Sequence, residues 1–184
     1  LNRSFTIEEL DIAEIIGSVV EEEHWENIVT INTSISSPTI QGIYEPVRRT
    51  IFRELLYNAI TKYKSPEREP RVEINIREDG RYVIAEIKDN GRGISREDLE
   101  NLNGGGIEAE PNVNNNGGRG IRLALRVVKM YGGKIGITSE EGRGSTFTVS
   151  LPIKFIRPKD EDTINLFREI RDILWKTDIH EVLN

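Results

Sequence analysis

The sequence predicts an α/β (α+β) fold, a two-layer sandwich in which a mixed, largely antiparallel sheet is covered on one face by helices. Three observations carry this expectation. Apolar residues recur at helical spacing in three separated segments, apolar and polar residues alternate on both sides of an Asp-Gly turn, and two more strand-like segments follow a Gly-Gly stop. The chain has 184 residues, 36% of them hydrophobic, which suffices for one substantial core plus an appendage.

The elements follow in order. Asp11, a good N-cap, precedes Ile12, Ala13, Ile15, Ile16, Val19 and Val20, so an amphipathic helix is expected to run to the glutamates at 21 to 23. A strand is expected at about Asn27 to Ile35. From Glu45 to about Tyr63, the residues Ile51, Phe52, Leu55, Leu56, Ala59 and Ile60 mark a second helix, closed by Pro66 and Pro70. Val72 to Arg77 and Tyr82 to Ile87 alternate around Glu78-Asp79-Gly80 and read as a hairpin, because Asp-Gly supplies the positive φ of a tight turn. Residues from Ser95 to Gly120 carry runs of glycine and asparagine, and a long loop inside a compact domain is usually functional or disordered. Ile121, Leu123, Ala124, Leu125, Val127, Val128 and Met130 then form a helix stopped by Gly132-Gly133, with strands at Lys134 to Thr138 and Ser145 to Leu151. Beyond Pro158, Ile164, Phe167, Ile170 and Leu174 recur at helical spacing, so residues 155–184 are expected to form a helical extension to a domain at 1–154.

Net charge is -6 and no basic block occurs, so the sequence offers no nucleic-acid surface. The chain has no cysteine and two histidines, which excludes a disulfide framework and a thiolate metal site. No apolar run approaches the ~18 residues of a membrane span, and Leu1 to Phe5 lacks the pattern of a signal peptide. A cytoplasmic domain without membrane contact is the expectation, whether or not its parent protein is anchored elsewhere.

Three segments bear chemistry. Glu54, Asn58 and Lys62 are spaced by four on one helix and form a polar row, either a solvated edge or a rank turned into a cleft. Asp89-Asn90-Gly91-Arg92-Gly93-Ile94 follows a strand, where two glycines admit a ligand close to the backbone and a carboxylate accepts from an exocyclic amine. Alone, it also reads as an ordinary Asn-Gly turn. Gly117-Gly118-Arg119-Gly120 opens a helix, and its exposed amides, with the Arg119 charge, suit a phosphate as well as they suit a hinge.

The order of these segments is more specific than any one of them. Arg53-Glu54-Leu55-Leu56-Tyr57-Asn58-Ala59 resembles the N box of the GHKL superfamily, Asp89 to Ile94 its G1 box, and Gly118-Arg119-Gly120-Ile121 its G2 box. Tyr131 to Ile135 and Glu141 to Pro152 resemble the closing half of sensor histidine-kinase catalytic domains. The resemblance spans about residues 5 to 153 and implies the GHKL, or Bergerat, ATP-binding fold. It further implies Mg²⁺ and ATP as cofactors, with Asn58 coordinating Mg²⁺ and Asp89 accepting from the adenine amino group with Thr146 nearby. Gly91, Gly93 and Ile94 then shape the adenine pocket, Lys62 reaches the phosphates, and Gly118 with Gly120 lets a lid close. Glu54 stands where hydrolytic relatives keep a general base. Mg²⁺ takes oxygen ligands and shares phosphates, so one amide oxygen suffices beside a triphosphate.

The sequence also departs from that pattern. Thr61 and Lys62, then Tyr63, follow Asn58 where a basic residue and an aromatic or histidine are usual; no aromatic residue lies between Leu99 and Asn116; and Arg122 replaces a third glycine. The implied function is transfer of the ATP γ-phosphate to a histidine on a separate dimerisation and phosphoacceptor domain, and thence to a response regulator. An anti-sigma-type serine/threonine kinase and a degenerate nucleotide-binding module are the alternatives. Neither His24, in Glu-Glu-Glu-His-Trp, nor His180, in His-Glu-Val-Leu-Asn, is expected to be the acceptor.

Overall fold

A computed structural model describes residues 7–62, 64–104 and 119–155, with 161, 164–165, 168–169 and 172 in the C-terminal segment. Tyr63, the stretch 105–118 with Gly118, and Phe167, Ile170, Leu174 and His180 of the expected tail helix therefore lie outside the described residues.

Asp11 starts the first helix as its sequence requires. Its Oδ1 accepts from the backbone amides of Ala13 and Glu14 at 2.9 and 3.1 Å, satisfying two of the amides that a helix start leaves without partners. Helix α1 (Ile12–Glu22) buries Ile12, Ile15, Ile16, Val19 and Val20. The second helical run, α2, begins with a proline at its first turn, where no amide is lost, and its winding is uneven. Wide π-type turns over Pro46–Arg53 and Asn58–Lys62 flank a single α-helical turn, Glu54–Tyr57. Such turns are rare and gather at functional sites. Arg48 pairs with Glu22, and Arg53 with Glu23 at 2.5 Å, tying α2 to the end of α1.

Five strands form the main sheet, in the order β2 (Val29–Thr33), β4 (Val72–Asp79), β5 (Tyr82–Asp89), β7 (Gly144–Pro152) and β6 (Lys134–Glu140). Only β2 and β4 run parallel; the other pairs are antiparallel. The β4–β5 hairpin closes over Gly80-Arg81, with Gly80 at φ 61, so glycine serves the turn that the sequence marks. Strand alternation divides the sheet into two faces. Val72, Ile74, Ile76, Val83, Ala85, Ile87, Phe147, Val149 and Leu151 are buried on the inner one, in a single core with the apolar residues of α1, α2 and α4 (Arg119–Met130). The mixed sheet under helices is the architecture expected from the sequence.

Two features differ from the sequence expectation. Strands β1 (Glu8–Asp11) and β3 (Thr39–Gly42) pair as a small separate sheet. Helix α3 (Arg96–Gly104) occupies the start of the segment expected to be a loop, with Ser95 Oγ accepting the Asp98 amide at 3.2 Å and Leu99 and Leu102 against the core. Behind α4, the Tyr131 hydroxyl accepts from the Ile43 amide at 2.9 Å and donates to the Ile43 carbonyl at 3.3 Å, while its ring meets Phe155 edge-on at 5.2 Å. Farther along, Arg126 of α4 holds Glu169 through two bonds of 2.9 and 2.6 Å. Among the described residues, no helix is long and apolar enough to cross a membrane.

Phe52 is fully buried under the sheet. Phe52→Ala is expected to lower unfolding free energy by about 3–5 kcal/mol, against about 1 kcal/mol for removing the cap with Asp11→Ala. Urea denaturation of both variants measures the difference, and equal losses would contradict this account of the core.

Candidate functional site

Of the polar row of α2, Asn58 is buried while Glu54 and Lys62 are half-buried at its two ends. Asn58 is 4% exposed, and its Nδ2 donates to the Glu54 carbonyl at 2.5 Å, one turn back. With the nitrogen so engaged, the amide oxygen is the atom left to bind a hard cation or a donor. Gly120, in the first turn of α4, lies directly over this pair. A Cβ there would overlap Glu54 Oε2 and come within 3.6 Å of Asn58 Nδ2. Glycine at 120 thus lets the start of a helix rest on a carboxylate, with no side chain between them. Burial raises the Glu54 carboxyl above its ordinary range, opposed by the charges of Arg53 and Lys62. The Lys62 ammonium is lowered, chiefly by burial and against the attraction of Glu54, and Arg92 and Asp98 also act on it.

Through Arg92 this cluster adjoins a second one at the end of β5. Asp89 is 5% exposed, and its Oδ1 accepts two backbone amides, Gly91 at 2.8 Å and Ser145 at 3.2 Å. Its other oxygen, Oδ2, is buried and has no hydrogen-bond partner. Burial raises this carboxyl too, while the Gly91 and Ser145 bonds pull it down. Around it the 91–94 loop and the β6–β7 turn meet backbone against backbone. Gly93 at φ 74 lies against Glu140 and Glu141, Gly144 at φ 117 lies against Asp89 and Asn90, and the Gly142 amide donates to the Arg92 carbonyl at 2.7 Å. Ser139 Oγ takes the amide of buried Ile94 at 2.8 Å, donates to the Gly144 carbonyl at 3.0 Å and touches Ser145 Oγ at 3.0 Å.

The structure thus brings Glu54, Asn58, Lys62 and Gly120 together, and Asp89, Gly91, Gly93 and Ile94 beside them. Thr146, in register with Lys88 and Thr138, lines a hollow together with Asp89, Gly144 and Ser145, and the amide of its neighbour Ser145 is the one that donates to the Asp89 carboxylate. Strand alternation from Phe147, Val149 and Leu151 would have found Ser145, because it shares their parity. Gly118 and the Arg119 side chain lie outside the described residues.

Among the described residues no three His, Cys, Asp or Glu side chains cluster to hold a metal by themselves. A divalent ion here has to share its shell with a ligand. The Asn58 amide oxygen, on the same helix one turn from Glu54, would suit Mg²⁺ in that shared manner.

The helix-covered mixed sheet, with a buried, half-satisfied carboxylate at a strand end, has the architecture of the Bergerat fold. The family model described as "Histidine kinase-, DNA gyrase B-, and HSP90-like ATPase" matches residues 45–154, and the chain belongs to that family. Sensor protein RprX of Bacteroides fragilis is 30% identical over 158 residues, covering 80% of this chain and 30% of that protein. The methanogenesis regulatory histidine kinase FilI of Methanothrix harundinacea is 33% identical over 98 residues, covering 53% and 11%. The chain therefore spans between about a tenth and a third of the length of these relatives. In fold, it matches the catalytic domain of histidine kinase ThkA with a TM-score of 0.65 at 18% identity, over 82% of this chain and 99% of that one.

Two outcomes follow. Asp89 titrates higher folded than unfolded, so its contribution to stability is fully present at acid pH and is lost as pH rises through the raised value. Without nucleotide, Asp89→Asn should therefore gain stability relative to the wild type over that rise; thermal unfolding against pH tests this, and a gap independent of pH would refute it. Gly120→Ala should displace the Glu54 carboxylate and weaken nucleotide binding without lowering Tm, since alanine favours the helix by about 1 kcal/mol. Calorimetric titration beside a thermal scan separates the two effects.

Proposed function

We propose that residues 1–154 are the Mg-ATP-binding catalytic domain of a two-component sensor histidine kinase, with residues 155–184 as a helical extension. Its activity is transfer of the ATP γ-phosphate to a histidine on a separate phosphoacceptor domain, from which a response regulator receives it, in the cytoplasm whether or not the parent protein is membrane-anchored. The observation that carries this reading is Asp89 Oδ2, a buried acceptor without a donor at a seam where glycine lets backbone pack on backbone. A carboxylate oxygen in that state calls for a ligand N–H, and the exocyclic amine of adenine supplies one.

In this reading Asp89 selects the base, held in place by the Gly91 and Ser145 amides, and buried Ile94 closes the apolar side of the slot. Lys62 and the opening turn of α4 face the phosphates, one as a cation and the other as helix amides. Asn58, with Glu54 beside it, would hold Mg²⁺, which neutralises phosphate charge. Phosphoryl transfer asks a protein mainly for positioning and charge neutralisation, and these residues serve both. An acceptor must approach nearly in line with the leaving oxygen, so a histidine presented by another domain is the natural nucleophile.

A second reading rests on Glu54. A carboxylate with its pKa raised by burial, next to the phosphates, can take a proton from water, which would make the chain an ATPase.

Asn58→Ala and Asp89→Asn should each weaken Mg-ATP binding at least about tenfold, as expected when a charge-assisted partner is lost. The chain alone should neither label itself nor turn ATP over quickly, and a matching phosphoacceptor domain should produce an acid-labile phosphoprotein. Radiolabel transfer and phosphate release are the measurements. Acid-stable label would point to a serine/threonine kinase, binding without transfer to a nucleotide-holding module, and rapid hydrolysis abolished by Glu54→Gln to the ATPase.

A further inference from the structure

Arg68 stands in the connection between α2 and β4, outside every motif of the sequence, yet its side chain reaches both walls of the slot beside Asp89. From Nη2 it donates to the Gly142 carbonyl at 2.5 Å and to the Gly91 carbonyl at 3.2 Å. Gly91 belongs to the loop after β5 and Gly142 to the β6–β7 turn, so one guanidinium spans the seam. The same two residues are engaged from their amide side as well. Gly91 N–H donates to Asp89 Oδ1 at 2.8 Å, and Gly142 N–H donates to the Arg92 carbonyl at 2.7 Å. Arg68 therefore sits one peptide unit from the bond that orients the Asp89 carboxylate.

Its own placement is fixed from the neighbouring backbone. Asn90 accepts from the Arg71 amide through Oδ1 at 2.8 Å, donates to the Glu69 carbonyl through Nδ2 at 3.0 Å, and its main-chain amide donates to the Arg71 carbonyl at 3.2 Å. Three bonds thus lash residues 69–71 to the loop that begins the slot. Arg68 itself is exposed, so water replaces its bonds at little expense to folding when the side chain is removed. What is lost is the brace.

We infer that Arg68 is a positioning residue for base recognition, clamping the 91–94 loop to the β6–β7 turn so that Asp89 Oδ2 meets an exocyclic amine at hydrogen-bond distance. This inference rests on the reading that adenine docks at Asp89. Adenine over hypoxanthine is the discrimination it governs, because hypoxanthine offers a carbonyl oxygen where adenine offers the amine, and a carboxylate repels it. A loosened slot tolerates either base.

Titration calorimetry of ATP and of ITP against the full chain, for wild type, Arg68→Ala, Arg68→Lys and Asp89→Asn, with Tm for each, tests this. Arg68→Ala is expected to weaken ATP about three- to tenfold, in keeping with the loss of one or two charge-assisted bonds. It should leave ITP nearly unchanged, so that the ATP-to-ITP preference narrows, and Tm should hold. Arg68→Lys, which keeps charge and donors, should recover part of the preference. If Asp89→Asn abolishes the preference while Arg68→Ala keeps it, the clamp is wrong and the site stands. Equal loss of both nucleotides together with a lower Tm would also overturn the clamp, leaving Arg68 a merely structural residue. If Asp89→Asn changes nothing, the site assignment fails and the inference with it.

Discussion

The carboxylate of Asp89 imposes the most demanding condition in this structure. A buried charge is tolerated only where hydrogen bonds replace water, and two backbone amides do this for one oxygen while the other has no hydrogen-bond partner. Those amides come from elements far apart in sequence, the loop after β5 and the start of β7, so they converge only if the two pack without side chains between them. Glycine at 93 and at 144, both with positive φ against neighbouring backbone, makes that packing possible. The site is therefore a property of the seam between two hairpins as much as of any residue in it.

Helix α2 solves a related problem by serving two environments. Ile51, Phe52, Leu55, Leu56 and Ala59 bury one side in the core, and Glu54, Asn58 and Lys62 form the other. An asparagine that is nearly fully buried needs its amide occupied, and the Glu54 carbonyl occupies it from within the same helix. Gly120 then brings α4 down on the pair. The half-buried ionic ties of Arg48 and Arg53 to the end of α1 hold the helix from the other end.

Periodicity revealed what it physically controls. Segments with a long apolar repeat, α1, α2, α4 and the β4–β5 hairpin, were legible because burial of one face dictates their pattern. Strands β1 and β3 were not, since four residues are too few to show alternation and their partner is remote in the chain. Helix α3 was hidden by the glycine and asparagine around it, with only Leu99 and Leu102 to mark a buried side. At the site, the Glu54 to Lys62 row and the Asp89 loop could be read from spacing and residue type. The part played by Ser145 could not be read from type, because its contact with Asp89 is made by a backbone amide, which every residue but proline has. Arg68 was beyond reach for a similar reason: its partners are carbonyls, which every residue has.

The two hairpins that build the seam are adjacent in the sheet, yet the chain travels from Asp89 through α3 and α4 before returning as β6 and β7. The seam is thus closed by segments that meet only once the whole sheet is assembled, and one added methyl group at Gly93 or Gly144 meets backbone that has nowhere to go. A substitution at either position would therefore act on the joining of two hairpins, not on the folding of one.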